Sequence, residues 1–307
     1  MILSVCPNPS IDLTVELEQL NVGQLNRVRN KVVTYSGKAL NVAIGVRRLG
    51  GDSYATGFMY ENDGRLFSQR LDNEGVKNTF VWNKGSVRIN YKVIDNSSML
   101  TEINDRGDDV PMDKQLELID LVGNLSKNAS VVVMSGSLPK GVEDDFYYKI
   151  FSKVNKNVKT IVDCEGEKLL QALKTGVYMV KPNLRELENI VKRKLTNIKD
   201  MVDSCKFLLN SGAENVLLSL GGDGAILYDG TNCYYCKSVN VAVNSTVGAG
   251  DSMVAAASVT TERNESKEEI LRCAVAAGTA SITTPGTNLF YRDKFEEVYG
   301  QIYVEKL

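Results

Sequence analysis

Short, continuously apolar segments alternate with amphipathic segments over most of this chain of 307 residues. Residues 131–135 and 216–220 are continuous rather than alternating in their apolar pattern, which is typical of strands covered on both faces. Such strands separated by helices predict an α/β fold of Rossmann-like architecture, a mainly parallel sheet flanked by helices. Strands are predicted at 1–4, 131–135, 160–163, 177–181, 216–220 and 225–228. Helices are predicted at 41–49, 113–125, 165–174, 184–192, 199–211, 251–261 and 268–282.

Two segments, about 10–35 and 86–104, break this pattern and alternate between polar and apolar residues. Such alternation is typical of strands with one solvated face. Pairing the two segments predicts a small antiparallel sheet inserted into the α/β body. This sheet is either an edge extension of the main sheet or a lid that excludes water from a cleft. We favour the lid and interpret residues 1–307 as one domain, with the exposed edges of the lid allowing a homodimer.

The chain contains no histidine. This excludes Ser-His-Asp hydrolysis, Cys-His proteolysis, His-ligated zinc catalysis and histidine phosphotransfer, so acid–base work must use other side chains. With 36 basic and 38 acidic residues, the net charge of −2 gives no global reason to bind nucleic acid or a membrane surface. Scattered cysteines, no signal peptide and no apolar run approaching ~20 residues predict a cytoplasmic protein.

The strongest local signal is the run Gly248-Ala249-Gly250-Asp251, which opens a helix of small residues. Bare backbone N–H groups at the positive end of a helix dipole can stabilise an anion. Asp251 is then either the N-cap of the helix or a general base held beside this anion site. The chain has no G-x-x-x-x-G-K-[ST] sequence, so the anion site is not a Walker A loop.

Further motifs accompany this run in order along the chain. They are Asn-Pro-Ser-Ile-Asp at 8–12, Gly-Lys-Ala-Leu-Asn-Val-Ala at 37–43 with Leu-Gly at 49–50, Ser-Gly-Ser-Leu-Pro at 135–139, Lys-Pro-Asn-Leu-Arg-Glu-Leu at 181–187, Ser-Leu-Gly-Gly-Asp-Gly-Ala at 219–225 and Ala-Ala-Gly-Thr-Ala at 276–280. With them the chain resembles the ribokinase-like (PfkB) carbohydrate kinase family from end to end. Arg-Ile-Asn at 88–90 and Thr-Glu-Ile-Asn at 101–104 resemble its hexose-phosphate branch, 1-phosphofructokinase and tagatose-6-phosphate kinase.

The resemblance implies an enzyme that uses ATP and Mg²⁺ to phosphorylate a hydroxyl of a sugar phosphate. Fructose 1-phosphate is the substrate we favour, and tagatose 6-phosphate is the first alternative. An unphosphorylated sugar or a nucleoside, and a non-catalytic sugar-phosphate-binding protein, are further alternatives. By this resemblance Asp251 is the base, and the amides of Gly248, Ala249 and Gly250 stabilise charge on the transferred phosphoryl group.

The nucleotide end of the site is implied by the later motifs. The residues expected to bind ATP are Lys181, Asn183, Ser219, Gly221, Gly224, Gly250 and Gly278. Asn183 and Glu186 are expected to govern Mg²⁺ through water, although the same spacing also forms a capping box. A plain hairpin turn is the alternative for the glycine-rich segment 219–224, which we favour as part of the ATP site.

The sugar end is implied by the earlier motifs. The residues expected to bind the substrate are Asp12, Gly37, Lys38, Asn41, Arg88 and Asn90. Among them, Lys38 and Arg88 are the expected partners of the phosphate already on the sugar. Arg27, Arg29 and Arg106 are weaker candidates for the same phosphate, and we favour a surface location for them. The chain departs from the family in having Ser36 and Ala39 where glycines are usual, which bears on substrate identity rather than reaction type.

Overall fold

The computed structural model describes residues 1–97, 99–284 and 288–307. Its strands are β1 Ile2–Cys6, β2 Ser10–Glu16, β3 Asn30–Ser36, β4 Ser53–Asn62, β5 Lys77–Asn78, β6 Val81–Ser86, β7 Arg88–Ile94, β8 Leu100–Asn104, β9 Val131–Ser135, β10 Lys159–Asp163, β11 Val177–Val180, β12 Ala213–Ser219, β13 Ala225–Tyr228, β14 Cys233–Cys236 and β15 Val304–Lys306. Its α-helices are α1 Lys38–Arg48, α2 Gly64–Asn73, α3 Met112–Leu125, α4 Phe146–Phe151, α5 Glu167–Leu173, α6 Leu184–Val191, α7 Ile198–Asn210, α8 Ala249–Glu262, α9 Lys267–Ser281 and α10 Arg292–Tyr299.

The main sheet has the strand order β15-β14-β13-β12-β11-β10-β9-β1-β4-β5, and β6 also pairs with β4. All pairings from β12 across to β5 and β6 are parallel, whereas those joining β12, β13, β14 and β15 are antiparallel. Every residue of β1 and β9 is buried, as the continuous apolar pattern predicts for strands between two helical layers. The predicted α/β fold is therefore confirmed.

Helix α8 lies against the sheet and between α1 and α9. Small residues allow this close packing: a Cβ added to Gly45 of α1 would lie only 2.6 Å from the Cβ of Ala255 in α8. From Asp251 to Thr261 every residue of α8 is buried. The helix that begins at the Gly-Ala-Gly run is thus rigidly held in the core, and its N-terminus has a defined position at the edge of the sheet.

A second sheet, the lid sheet, is formed by β3, β2, β7 and β8 in that order. Its strands fall within the two segments whose polar–apolar alternation predicted a small inserted sheet. The central pair β2–β7 is parallel, whereas β2–β3 and β7–β8 are antiparallel. The predicted small antiparallel sheet is therefore present, and only its central pair differs from the prediction in being parallel. The reason is that β2 directly follows β1, and β7 directly follows β6, so both strands leave the main sheet in the same direction.

The lid sheet has a polar face and an apolar face. Asp12, Asn90 and Asn104 lie in one cross-strand row, whereas Val33, Tyr91 and Ile103 lie in a row on the opposite face. The three apolar side chains of the second row are all exposed. A homodimer through the lid sheet stays a prediction.

Several elements were not predicted from the sequence, among them β4. Gly57 lies in the middle of β4 with a φ of +149°, and a Cβ at this position would lie 1.8 Å from the carbonyl oxygen of Cys6 in β1. A glycine inside a strand weakens its sequence pattern, and here it is required by the close approach of the neighbouring backbone. The other missed elements are α2, α4, α10, β5, β6, β14 and β15, none of them longer than 10 residues. Among the described residues, no helix combines the length and the apolar character that a membrane crossing requires.

Candidate active site

A cleft of about 1190 Å³ lies between the polar face of the lid sheet and the edge of the main sheet where β10 and β11 end. The N-terminus of α8 opens into the same cleft through Gly248 and Gly250. Ligands of open α/β sheets bind at the carboxyl ends of the strands. The cleft therefore has the position expected of the functional site, and it brings together most of the residues that the sequence singled out.

Asp251 lies in this cleft and is buried, with 7% of its surface exposed. The N-cap of α8 is Gly248, with a φ of +87°, and Asp251 is the third residue of the helix. The alternative that Asp251 caps the helix is therefore wrong, because its carboxylate is directed to another partner. That partner is Asn41 of α1, whose Nδ2 donates a hydrogen bond of 2.8 Å to Oδ2 of Asp251.

Burial raises the pKa of Asp251 to about 6, although the nearby ammonium of Lys38 opposes part of this effect. A carboxylate with such a pKa is ionised at neutral pH, yet it binds a proton far more readily than an exposed aspartate does. General bases are most effective when their pKa lies near the working pH. The environment of Asp251 therefore suits it to accept a proton.

Asp163 at the end of β10 lies between two lysines. Its Oδ1 is 3.3 Å from Nζ of Lys181, its Oδ2 is 3.7 Å from Nζ of Lys38, and Oγ of Ser135 donates to Oδ2 at 3.1 Å. Burial alone would raise the pKa of Asp163, but Lys181, Lys38 and the hydrogen bonds lower it below its ordinary value. In turn, Asp163 is the main cause of the raised pKa of Lys38. These three charges form one cluster, the Asp163 cluster.

The two lysines of the Asp163 cluster differ in exposure. The side chain of Lys181 is 6% exposed and that of Lys38 is 47% exposed. A Cβ added to Gly250 would lie 3.2 Å from Nζ of Lys181, so this ammonium packs directly against the first turn of α8. The first N–H groups of a helix have no partner within the helix. Lys181 and the start of α8 thus form one positive region beside Asp251.

Asn183 and Glu186 form the N-terminal capping box of α6. Asn183 Oδ1 accepts from the backbone N–H of Glu186 at 2.8 Å, and Glu186 Oε2 accepts from that of Asn183 at 2.9 Å. The capping alternative is therefore confirmed, but both side chains also line the cleft. Burial raises the pKa of Glu186. Ser219 lies next to Asn183 in a parallel bridge and lines the cleft as well.

A magnesium site made only of protein ligands is absent from the described residues, since no group of three or more metal-ligating side chains occurs there. Mg²⁺ in kinases usually keeps several waters and is held by one or two carboxylates together with substrate phosphates. Glu186 fits this arrangement because its Oε1 makes no hydrogen bond within the described part of the chain, while Oε2 serves the capping box. The residues present are thus compatible with a water-mediated metal site.

Some predicted site residues do not line the cleft, namely Ala249 of the anion-stabilising run and three residues expected to bind ATP, Gly221, Gly224 and Gly278. Packing explains two of these glycines. A Cβ added to Gly224, which has a φ of +91°, would lie 1.9 Å from the carbonyl oxygen of Cys236, and one added to Gly278 would lie 2.8 Å from Cγ of Met253. Residues Gly221–Asp223 form a short 3₁₀ turn between the antiparallel strands β12 and β13. The hairpin-turn alternative for this segment is confirmed.

At the other end of the cleft, Arg88 is held by backbone carbonyls. Its Nε donates to Pro9 O at 3.3 Å, Nη2 to Asn8 O at 3.2 Å, and Nη1 to Asp105 O at 2.9 Å. Burial lowers the pKa of Arg88, and within the described residues no carboxylate lies within salt-bridge distance of it. A half-buried guanidinium without a negative partner is suited to bind an anionic ligand.

Ser36 and Ala39, which stand where glycines are usual in the family, lie in different places in the structure. Ala39 is fully buried in the core beside the start of α1 and does not line the cleft. Ser36 lines the cleft, and its Oγ accepts a hydrogen bond of 3.3 Å from Asn41, the residue that also contacts Asp251. Gly37 is the N-cap of α1, where a Cβ would lie 2.7 Å from Sγ of Cys6. Ser36 is therefore the departure that reaches the site.

A model of the pfkB family of carbohydrate kinases matches residues 7–294. The chain belongs to this family. It is 33% identical over 308 residues to a 1-phosphofructokinase of Borreliella burgdorferi, covering 100% of this chain and 99% of the relative. It is 32% identical to a tagatose-6-phosphate kinase of Staphylococcus epidermidis, covering 99% of each. A solved structure of phosphofructokinase-2 from Escherichia coli in complex with potassium superposes with a TM-score of 0.90 at 33% identity, covering 98% of each chain.

Membership of this family confirms the predicted kinase, a phosphotransferase with an alcohol acceptor. It also supports ATP as the phosphate donor.

Some residues that this pfkB-family chain brings to its cleft were not predicted from the sequence, including Asp163, Lys92, Asn8 and Ser137. Asp163 ends a buried strand just as Lys181 follows one, so the same carboxyl-edge argument finds it. Lys92 is two residues from Asn90 in an alternating strand and therefore shares its face. Arg106, expected on the surface, is exposed but lines the cleft.

The Asp163 cluster generates a stability prediction. Replacing Asp163 by Asn should lower the free energy of unfolding by about 3–5 kcal/mol, because Lys181 becomes a buried charge without its partner. Urea unfolding would measure the change. The control is Asp109→Asn, which breaks an exposed pair with Lys140 and should cost no more than about 1 kcal/mol. A loss for Asp163→Asn as small as that of the control would contradict the prediction.

Proposed function

We propose that this pfkB-family kinase transfers the γ-phosphoryl group of ATP to a hydroxyl of a sugar phosphate, with fructose 1-phosphate as the favoured substrate. The observation that supports it most directly is the position of Asp251. This buried carboxylate, with its raised pKa, lies beside the amide-rich start of α8 and the ammonium of Lys181. A base next to a positive region is what the transfer of a phosphoryl group to an alcohol requires.

In this proposal Asp251 accepts the proton of the attacking hydroxyl. Asn41 holds Oδ2 of Asp251 through its Nδ2, which leaves Oδ1 to face the sugar. The Oδ1 of Asn41 is buried and has no partner among the described residues. It can accept a hydrogen bond from a sugar hydroxyl and so orient the acceptor.

The transferred phosphoryl group would lie at the start of α8. There the backbone N–H groups of Gly248 and Gly250, which line the cleft, would face developing negative charge at the positive end of the helix dipole. Lys181 adds a full charge against the same turn, and Lys38, being half-exposed, can reach into the cleft. Because phosphoryl transfer depends mainly on positioning and electrostatics, these groups are sufficient for the protein's part in the reaction.

Mg²⁺, when bound with ATP, would neutralise phosphate charge. Glu186 and Asn183 would hold it through water, with Glu186 supplying the negative charge at this end of the cleft. The capping box fixes both side chains at the start of α6, so their position does not depend on the ligand. The lid sheet would cover the sugar and exclude water that could otherwise accept the phosphoryl group.

Fructose 1-phosphate and tagatose 6-phosphate are both supported by relatives of nearly equal identity, named 1-phosphofructokinase and tagatose-6-phosphate kinase. Tagatose 6-phosphate is therefore the second candidate. A phosphorylated sugar is favoured over a free sugar because the half-buried guanidinium of Arg88 lines the cleft without a carboxylate partner in the described residues. A purely binding protein is disfavoured because Asp251 and the glycines beside it are intact.

The base assignment predicts a pH dependence. Asp251 must be ionised to accept a proton, so kcat/KM should fall as the pH drops through about 6. Asp251→Asn should fold and bind ATP but lose turnover by roughly 10²–10⁴-fold. A coupled assay from pH 5 to 8 would test both expectations, with Asp203→Asn on the surface of α7 as the control. Near-normal turnover of Asp251→Asn would refute the assignment.

The metal assignment predicts that Glu186→Gln raises the Mg²⁺ concentration needed for half-maximal activity. Glutamine can still complete the capping box, so the melting temperature should stay the same while the negative charge is lost. Glu188→Gln, on the same helix and paired with Lys194, is the matched control. A Mg²⁺ titration identical to that of the unmodified protein would remove Glu186 from the metal site.

The substrate assignment predicts that Arg88→Ala costs about 1.5–3 kcal/mol in kcat/KM on the phosphorylated substrate, the range for a hydrogen bond to a charged group. Free fructose should be hardly affected. We would compare fructose 1-phosphate, tagatose 6-phosphate, fructose 6-phosphate and free fructose, with the exposed Arg65→Ala as control. An equal fractional loss on all four, or free fructose as the best substrate, would show that Arg88 does not read a phosphate.

A further inference from the structure

Lys92 is a buried ammonium that the proposed reaction does not yet use. It lies in β7 on the polar face of the lid sheet, lines the cleft, and has a side chain that is 8% exposed. Its Nζ donates to Oδ2 of Asp12 at 3.1 Å. In the described part of the chain this is its only hydrogen-bond partner, so two of the three ammonium N–H groups are left for a ligand or water in the cleft.

Asp12 presents an acceptor beside these donors. Its Oδ1 accepts from Oγ of Ser10 at 3.0 Å and from Nδ2 of Asn90 at 3.1 Å, while Oδ2 accepts only from Lys92. Each carboxylate oxygen can accept about two hydrogen bonds. Oδ2 of Asp12 therefore retains one acceptor site next to the free donors of Lys92, and both residues line the cleft.

Stability does not account for this pair. Removing two charges from water usually costs more free energy than their attraction returns. Apolar residues of similar volume often stabilise a folded structure as well or better. The opposite face of the same sheet is indeed apolar. A paired lysine and aspartate on the cleft face are instead suited to a ligand with two closely spaced hydroxyl groups. One hydroxyl can donate a hydrogen bond to the aspartate, and the oxygen of the other can accept one from the lysine.

A hydrogen-bonded chain connects this pair to Arg88. Nη1 of Arg88 donates to Oδ1 of Asn90 at 3.4 Å, and Nδ2 of Asn90 donates to Asp12. The polar face of the lid sheet thus runs from the guanidinium proposed to hold the phosphate, through Asn90, to the Asp12–Lys92 pair. A sugar whose phosphate is bound by Arg88 would have this polar line beside its ring hydroxyls.

We propose that Lys92 is a substrate-binding residue that acts with Asp12 to read two neighbouring ring hydroxyls. One hydroxyl donates to Oδ2 of Asp12, and the oxygen of its neighbour accepts from Nζ of Lys92. This inference rests on the proposed function as a sugar-phosphate kinase. A site built to hydrogen-bond a hydroxyl discriminates strongly against an analogue that lacks it, because its buried polar groups then stay unpaired. Lys92 therefore sets specificity for the sugar.

The first test is Lys92→Met, which keeps the length of the side chain and removes its charge and donors. The KM for fructose 1-phosphate should rise by about tenfold to a hundredfold, the effect of losing a hydrogen bond to a charged group. The KM for ATP should not change, and Lys92→Arg should recover part of the loss. Lys31→Met, in the exposed edge strand β3 of the same sheet, is the matched control and should behave as the unmodified protein.

The second test uses the 3-deoxy and 4-deoxy analogues of fructose 1-phosphate. Removing the hydroxyl that Lys92 reads should impair the unmodified protein, yet add little further loss in Lys92→Met, since the contact is already gone. Thermal shift with the same ligands gives a readout that does not need turnover. If Lys92→Met proves unstable, the Asp12→Asn, Lys92→Met double variant removes both charges, and the same comparison applies to it.

An unchanged KM for the sugar phosphate in Lys92→Met, an equal rise in the KM for ATP, or deoxy penalties that are the same in both proteins would overturn the inference. The proposed function survives any of these results if the unmodified protein phosphorylates the sugar phosphate. If the unmodified protein neither phosphorylates nor binds it, the proposed function fails and this inference fails with it.

Discussion

The cleft depends on the burial of charge at the edge of the main sheet, where Asp163 lies between Lys38 and Lys181. Buried charges are tolerated only when they are paired and hydrogen-bonded. Asp163 meets this requirement for Lys181, the buried lysine that follows β11, and it also pairs with the half-exposed Lys38 at the start of α1. It thereby ties two strand ends and a helix start into one arrangement. The positive region beside α8, and with it the proposed phosphoryl site, follows from this pairing.

Two buried carboxylates of the cleft, Asp163 and Asp251, have pKa values shifted in opposite directions. Both lose hydration, but Asp163 has lysines on either side, whereas Asp251 has the neutral amide of Asn41 as its hydrogen-bond partner. The first is therefore held as an ion that organises its neighbours, and the second is able to take up a proton. Environment rather than residue type separates a structural acid from a candidate base.

The accuracy of the sequence predictions followed the strength of the local pattern. Strands β9 and β13 occur where they were predicted, residue for residue, because continuous apolar runs bounded by polar residues have few other interpretations. Strand β4 was missed because Gly57 interrupts its strand-like sequence pattern. A glycine is required there because the carbonyl oxygen of Cys6 in β1 lies too close for any side chain. Lys92 was missed because a lysine in a strand of alternating pattern is usually assigned to the solvent-exposed face. Only the tertiary structure shows that this face of the lid sheet lines the cleft and is buried.

The sequence by itself determined the α/β fold, the family and the residues of the Gly-Ala-Gly-Asp run, since these depend on periodicity and motif spacing along the chain. Only the tertiary structure decided which polar and charged side chains meet. It placed Lys38 beside Asp163, Asn41 beside Asp251, and Lys92 beside Asp12, and it assigned Gly224 and Gly278 to packing. These pairings join residues distant in the chain, and their pKa shifts and hydrogen bonds arise from burial, which local sequence does not encode.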